Sequence, residues 1–549
     1  MEIRWKWAAA QAAGTLVAAG TLWSAAAEAA PPLQPKGQAP RDVYGIVNLA
    51  PPPVYRAFIN ARSQVAFEYT GPDNSPHVGF FDGQRVRQAE PAGARGSLVA
   101  NLNDRGEVAA HAVLPDVATY VPYRWTPAGG TTLLPDPHPD ADTFTSDINN
   151  RGQIVGFSQQ VNLAARWDGA NRLVPLQTPP GYARSGGYDI NESNMSAGVA
   201  AAPDGNNHAV LWDATGRLID LGTFGASSSF ALQIKDRNEV GATAVTVDAA
   251  GNPHWRSLLW NRRDGAAFVP RAESQSIFTA LNERGEAVGR LLPPDQGRVH
   301  ALYFSRQRGL VNLHRAPFVE SNGYDINDAG TIIGSMTRAN ADGSDTELAY
   351  RWSNFSPVNL NTRLLDAPAG LVLTQALHIS PTGDIVANSN AGLVLLRQGR
   401  PGTDAPVLGP VALGEPIRPT VTTKLTQTFS DRNPRDTHSA TVDWGDGSGS
   451  QPAIVDETRG RGRISATHTY PGSGDFTIVV NVTDSTGRTT STFRLVTVEP
   501  PRPFDAAATV ATAATAANAA NAVQPKRTLI GPEMPAAVQT RLRGLLQKP

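Results

Sequence analysis

One short phrase recurs eight times along the chain at a spacing of about 45 residues. Its strongest copies read Asp-Ile-Asn-x-x-Gly-x-[Val/Ile]-[Val/Ile]-Gly. The Asn position, here called the anchor, is occupied in turn by Asn60, Asn103, Asn149, Asn191, Lys235, Asn282, Asn327 and Ser380. A fixed period of this length, with four strand-like segments per copy, is typical of propeller blades. The repeat therefore predicts an all-β chain whose main domain is a β-propeller of four-stranded blades.

Three further positions recur within each unit. Gly or Asn stands three residues past the anchor in seven of the eight copies, which indicates a backbone with positive φ. Gly or Ala stands seven residues past it in seven copies, which indicates crowding near the propeller axis. An aromatic residue such as Trp212 occupies the third strand of most copies and is expected in the core between blades. The anchor Asn itself is expected to hydrogen-bond its own turn.

The two ends of the repeat region complement each other. The last unit has three strand-like segments and ends near residue 396, whereas residues 44–49 resemble a fourth strand with no predecessor. Joining them completes one blade from both chain ends and leaves no free sheet edge. We therefore expect eight blades over residues 42–398; seven remain an alternative if the first, degenerate unit lies outside the ring.

The third-strand phrases identify a family resemblance. His208-Ala209-Val210-Leu211-Trp212 and His300-Ala301-Leu302-Tyr303-Phe304 resemble the HAF repeats of bacterial extracellular proteins, and the Asp-Ile-Asn-x-x-Gly phrases resemble the other half of that repeat. The resemblance spans about 350 residues, although Lys235 and Ser380 depart from the Asn anchor. It implies an extracellular setting and says little about activity.

Residues 406–499 follow a different pattern, with alternating apolar positions separated by turn residues, typical of a β-sandwich. The ordered motifs Trp444-Gly445-Asp446-Gly447-Ser448, His468-Thr469-Tyr470, Gly474-Asp475-Phe476 and Val482-Thr483-Asp484 resemble those of a PKD domain, an immunoglobulin-like module. The resemblance implies spacing of domains or contact with proteins or carbohydrates. We expect Trp444 in the core, Asp446 bonded to its turn backbone, and a structural role for His468.

The segments outside these domains suggest export. Arg4 and Lys6, an apolar stretch and then Ala27 and Ala29 predict a signal peptide over residues 1–29, with an N-terminal membrane anchor as the alternative. Residues 30–41 and 399–405 are expected to be linkers. Residues 500–549 form an Ala-, Thr- and Asn-rich tail in which residues 534–546 have the pattern of a short helix. The mature chain is expected in the periplasm, at the cell surface or in the medium, without a membrane span.

Composition excludes some chemistry. The chain has no cysteine, so it has neither disulfides nor thiol catalysis, and a net charge of −1 does not favour nucleic acid. Without a recognised catalytic phrase, no catalytic, cofactor-binding or metal residue is assigned. His77, His208 and His300 share one repeat position, which favours a structural role.

Acidic residues supply the remaining candidates. Asp147, Asp189 and Asp325, two residues before their anchors, are expected to hydrogen-bond between blades; the alternative is a polar or metal-binding rim. Two acidic loops are candidate calcium sites, although neither has EF-hand spacing: Asp136 with Asp140 and Asp142, and Asp342 with Asp345 and Glu347. Solvated loops are the expected outcome for both.

Two functional hypotheses follow. The first is an exported, non-enzymatic binding or adhesion scaffold, with an extracellular protein or polysaccharide as partner. The alternative is a secreted hydrolase or lyase that acts on glycans or peptides at the channel mouth. Converging carboxylates would favour the alternative. In either case the functional residues are expected in loops that do not repeat.

Overall fold

The computed structural model describes residues 43–499 apart from short gaps at 51–53, 72–73, 160–162, 250, 271–274, 293–296, 366 and 400–404. The predicted signal peptide (residues 1–29), the first predicted linker (30–41), residues 400–404 of the second predicted linker and the C-terminal tail (500–549) lie outside the described residues. Between residues 43 and 499, no helix is long and apolar enough to cross a membrane.

Strand β1 (Tyr44–Ala50) precedes seven blades, each with four antiparallel strands in chain order. Their strands are β2 (Val54–Ile59), β3 (Val65–Thr70), β4 (Pro76–Phe81) and β5 (Val86–Gln88); β6 (Gly96–Leu102), β7 (Val108–Val113), β8 (Tyr120–Thr126) and β9 (Gly130–Leu133); β10 (Thr143–Ile148), β11 (Ile154–Ser158), β12 (Leu163–Trp167) and β13 (Leu173–Val174); β14 (Ser185–Ile190), β15 (Ser196–Ala201), β16 (Asn207–Trp212) and β17 (Leu218–Asp220); β18 (Ser228–Ile234), β19 (Val240–Val247), β20 (Pro253–Asn261) and β21 (Gly265–Phe268); β22 (Gln275–Leu281), β23 (Glu286–Leu292), β24 (His300–Ser305) and β25 (Gly309–Asn312); and β26 (Glu320–Ile326), β27 (Ile332–Ala339), β28 (Asp345–Ser353) and β29 (Ser356–Asn359).

The eighth blade is built from both ends of the repeat region. After a 3-10 helix at Leu360–Arg363 come β30 (Leu373–Ile379), β31 (Ile385–Ser389) and β32 (Gly392–Gln398), and β1 pairs with β32 as the fourth strand. In this pairing Ile46 lies opposite Leu396, and Tyr44 and Ile46 are buried. The predicted closure and the count of eight blades are confirmed.

A β-bulge in the first strand explains the small residues seven positions past the anchor. In blades two to eight the pairing of the first two strands shifts between the fourth and second residues before the anchor. A Cβ atom on Gly156 would lie 2.0 Å from the carbonyl oxygen of Phe144, in the adjacent strand of the same blade. In the first blade the shift comes earlier, between Val54 and Ala57, and Phe67 occupies the position. The predicted crowding is present at the glycines of this position, and its source is the paired strand of the same blade.

The third-strand aromatic residues pack in the core as predicted. Trp167, Trp212 and Trp352 are at most 1% exposed. Each indole N–H donates to a carbonyl of the segment that arrives from the preceding blade: to Pro135 at 2.8 Å, Gln177 at 3.1 Å and Leu313 at 3.2 Å, respectively. Buried indole groups need such a partner, so the recurring aromatic also sets the path of the entering chain.

The C-terminal domain is a sandwich of β33 (Val407–Leu413), β34 (Thr422–Ser430), β35 (His438–Asp443), β36 (Ser450–Thr458), β37 (Arg461–Thr469), β38 (Gly474–Asp484) and β39 (Thr489–Val498). One sheet has the order β33-β34-β37-β36 and the other β36-β35-β38-β39, so β36 takes part in both. Trp444 is fully buried and His468 stacks on it at 4.9 Å. Asp446 accepts bonds from the Ser448 backbone N–H and from His468 Nε2. All three predicted roles are confirmed.

Candidate functional site

The anchor residues act in the turn, as predicted, and also join neighbouring blades. Asn149 Oδ1 accepts the backbone N–H groups of Arg151 and Gln153 at 3.0 Å, and its Nδ2 donates to the carbonyl of Asn191, the next anchor, at 3.0 Å. The same bond to the next anchor recurs at Asn60, Asn103, Asn191, Asn282 and Asn327. The residue three positions past every anchor has positive φ, including Ser63. These Asn side chains are therefore structural.

The aspartates two residues before the anchor also bond between blades. Asp147 accepts the backbone N–H of Ile190 at 3.0 Å, Asp189 that of Ile234 at 2.8 Å, and Asp325 that of Ile379 at 3.0 Å. Burial, followed by the neighbouring charge of Asp189, raises the pKa of Asp147 well above its ordinary value. The preferred prediction for these three residues, hydrogen bonding between blades, is confirmed.

Lys235 differs from the other anchors in its charge. Burial alone lowers its pKa, but the negative charges of Asp189, Glu283, Asp147 and Asp325 outweigh burial and leave the pKa raised. These carboxylates come from four other blades, so Lys235 offsets acidic charge around the propeller axis. This is a stabilising role that its place in the repeat did not reveal.

The repeated histidines are separated in space and each has a partner in its own blade. His77 Nδ1 lies 2.8 Å from Glu90 Oε1, His208 Nδ1 lies 2.8 Å from Asp220 Oδ2, and His300 Nδ1 lies 3.4 Å from Asn312 Nδ2. In each case the partner lies in the fourth strand or just after it. This regularity supports the predicted structural role.

The two acidic loops do not gather their carboxylates. Asp136 Oδ1 accepts the His138 N–H, Asp142 Oδ1 accepts the Tyr120 N–H, and Asp140 is exposed. In the second loop Asp342 caps its own turn through Ser344, and Asp345 lies 3.7 Å from Arg298. Glu347 bonds with Ser335 of its own blade and with Gln375 of the next. Because the carboxylates have separate partners, neither loop has the arrangement of a calcium site.

A polar cluster lies toward the face of the ring opposite the anchors, where first and third strands begin and second strands end. It spans the sixth, seventh and eighth blades and consists of Arg290, Glu320, Tyr324, Ser335, Glu347 and Gln375. Glu347 accepts bonds from Ser335 Oγ at 2.5 Å and from Gln375 Nε2 at 2.9 Å. The guanidinium of Arg290 lies 5.5 Å from the centre of the Tyr324 ring. Three blades thus hold these groups in one network.

The charges in the polar cluster differ in environment. Burial raises the pKa of Glu320, and the negative charges of Asp345 and Glu347 add to this effect. The positive charge of Arg298 lowers the pKa, but the pKa is raised overall. Burial likewise raises the pKa of Tyr324 to about 12. Glu320 therefore takes up a proton more readily than an ordinary glutamate, and Tyr324 stays a hydrogen-bond donor across the physiological range.

An aromatic row occupies the same face in blades two to five. It consists of Tyr120, Phe144, Phe157, Tyr188, Phe230 and Trp255. Successive ring centroids lie 5.3 Å apart for Tyr120 and Phe144, 5.7 Å for Phe144 and Phe157, and 6.3 Å for Phe157 and Tyr188. Tyr120 and Trp255 are only half-buried. The other four rings are at most 8% exposed, so only Tyr120 and Trp255 add aromatic surface to the face that carries the polar cluster.

The sequence identified only Glu347 of the polar cluster, as part of an acidic loop. Glu320, Tyr324 and Gln375 occupy first-strand positions whose residue type changes from blade to blade. That variation beside recurring structural positions is the signal that could have indicated them. It cannot show which variable positions meet, because the partners come from different blades.

Comparison with known proteins identifies the C-terminal β-sandwich. Residues 403–498 match the family model of the PKD domain. No match was found among curated proteins. The combination of an eight-bladed propeller with a PKD domain suggests an extracellular binding module.

Solved structures resemble parts of the chain. The PKD1 domain of Vibrio anguillarum Epp is 24% identical, with 18% of this chain and 96% of that chain covered and a TM-score of 0.14. Virginiamycin B lyase from Staphylococcus aureus is 10% identical, with 64% and 99% covered and a TM-score of 0.31. Dipeptidyl peptidase 4 of Porphyromonas gingivalis is 9% identical, with 70% and 64% covered and a TM-score of 0.38.

Proposed function

We propose that this chain is an exported binding protein of the HAF-repeat type, whose propeller binds an oligosaccharide at the polar cluster and the aromatic row. The proposed export rests on the signal-peptide pattern of residues 1–29. This pattern is compatible with the periplasm, the cell surface and the medium. The PKD domain spaces the propeller from other structures or adds a contact of its own.

The observation that carries this proposal is the network around Glu347. A carboxylate held by Ser335 and Gln375, beside Arg290 and Tyr324, offers several fixed donors and acceptors. Sugars present many hydroxyl groups and apolar ring faces, and sites that bind them combine placed polar groups with aromatic surface. The half-buried Tyr120 and Trp255 supply such surface on the same face.

Binding to a glycan array, followed by calorimetric titration of the best ligand, tests the proposal. Glu347→Gln should weaken affinity at least about tenfold, because a hydrogen bond to a charged group contributes roughly 1.5–3 kcal/mol. Asp264→Asn removes a charge from an exposed turn on the anchor face and should leave affinity unchanged. Binding of peptides but no glycan, or equal affinity for both variants, would overturn it.

A specific observation also favours the second candidate, a glycan-cleaving enzyme. Glu320 has a raised pKa and lies within electrostatic range of Glu347, and pairs of carboxyl groups in unlike environments supply the acid and the base of glycoside cleavage. Release of reducing ends by the wild type, abolished in both Glu320→Gln and Glu347→Gln, would establish it. Binding without release would leave the first candidate.

A further inference from the structure

Three carboxylates meet in the PKD domain at the junction of two strands. Asp431 follows β34, Asp436 lies in the next turn, and Asp484 ends β38. One oxygen of each lies within 4.8 Å of the other two. Their proximity concentrates negative charge where two of the three side chains, those of Asp431 and Asp484, are at most 6% exposed.

Several oxygens of this group already have partners that fix the carboxylates in place. Asp484 Oδ1 accepts from the Thr486 N–H at 2.8 Å and the Arg488 N–H at 2.9 Å. Asp436 Oδ1 accepts from Ser485 Oγ at 3.1 Å. Asp431 accepts from the Asn433 N–H at 2.7 Å and from His438 Nε2 at 3.0 Å. Such outer contacts orient carboxylates that bind a metal ion.

Two buried oxygens of the group lack any partner. Asp484 Oδ2 and Asp436 Oδ2 are shielded from solvent and accept no hydrogen bond. Asp484 as a whole is only 4% exposed, so water cannot readily replace the missing donor. A buried carboxylate oxygen without a donor costs folding free energy, and a second and third carboxylate nearby increase that cost. A cation between them would remove both penalties.

We propose that Asp431, Asp436 and Asp484 form a calcium-binding site that stabilises the PKD domain. Carboxylate oxygens are hard ligands, so this site is not expected to favour metal ions that prefer thiolate or imidazole ligands. Calcium binds oxygens at about 2.3–2.6 Å, so ligands on opposite sides of the ion lie up to about 5 Å apart, in keeping with this group. Magnesium requires a tighter octahedron at about 2.0–2.1 Å. Water and backbone carbonyls would complete the six to eight ligands.

Calcium titration of the full chain, by calorimetry and by thermal unfolding, tests the site. At about 5 mM CaCl₂, in the range of extracellular modules, the midpoint of the PKD transition should rise on the order of 10 °C above its value in EDTA. Magnesium at the same concentration should give less than half of this shift.

Three variants locate the effect. Asp436→Asn and Asp484→Asn each keep an accepting oxygen and remove a charge, and each should lose at least about nine-tenths of the calcium affinity. Asp456→Asn removes an exposed charge from β36 of the same domain and should bind as the wild type does. If Asp484→Asn fails to fold, Asp436→Asn decides, because that residue is half-exposed. No heat of binding to the wild type, or unchanged binding by Asp436→Asn, would overturn the proposal.

Discussion

Glu68 is a buried acid whose titration should limit stability. It is 2% exposed, and one oxygen accepts the backbone N–H of Val99 in the next blade at 2.9 Å. Burial raises the pKa of Glu68 from 4.5 to about 7, against the smaller lowering effects of Arg56 and the Val99 bond. The folded state therefore holds this proton more tightly than the unfolded state, and stability falls as pH rises from 4.5 to about 7.

The variant Glu68→Gln keeps an acceptor for Val99 and cannot titrate. The wild type should lose about 3 kcal/mol more stability than the variant between pH 4.5 and 7.5, because one pKa unit corresponds to about 1.4 kcal/mol. Denaturant unfolding of both proteins at a series of pH values measures the difference. Parallel stability curves for the two proteins would show that Glu68 is not the titrating group.

At the same scale, the sequence predicted roles within a repeat better than roles between repeats. The turn bonds of Asn149 follow from local chemistry, so its Oδ1 contacts were predictable. Its Nδ2 bond to Asn191 depends on how two blades lie side by side, which one unit does not encode. The bond between Gln375 and Glu347 depends on the same contact between blades, because the two residues belong to neighbouring blades.

At the scale of the blade, the turn after the first strand is the unit that joins neighbours. Asn149→Ala removes the acceptor of two backbone N–H groups and a donor to the next blade, all at a buried side chain. Buried groups left without a partner cost roughly 1–3 kcal/mol each, with partial relief from water, so a loss of about 2–4 kcal/mol is expected. Chemical denaturation measures it.

Two comparison variants make that result interpretable. Asn149→Ser should recover part of the loss, because Ser380 shows that a hydroxyl at an anchor can accept a turn N–H, that of Asp384 at 3.0 Å. Asn206→Ala removes an exposed Asn that bonds Asp204 and should change stability by less than about 0.5 kcal/mol. Equal losses for Asn149→Ala and Asn206→Ala would mean that the anchor bonds do not join the blades.

At the scale of the whole molecule, ring closure depends on one strand from the far end of the chain. The two incomplete ends of the repeat region predicted this pairing. The last repeat lacks a fourth strand, and the first strand of the domain belongs to no other repeat, so the two complete one blade. The polar cluster had no such complement in the sequence. Closure buries Tyr44, Ile46, Val47 and Leu49, each at most 7% exposed, and covers the edge of β32.

Truncation tests closure directly. A chain that starts at residue 43 retains β1 and should keep the association state of the full chain, with a single propeller transition. A chain that starts at residue 51 exposes the β32 edge and loses four buried side chains, each contributing about 1.5–3 kcal/mol at most. It should unfold at least about 10 °C lower and associate through the free edge, as measured by calorimetry and light scattering.

A peptide of residues 43–50 should restore the midpoint, whereas the same peptide with Ile46→Asp should not, because it would place a charge in the core beside Leu396. A chain starting at residue 51 with an unchanged association state and an unchanged midpoint would show that the ring does not depend on β1.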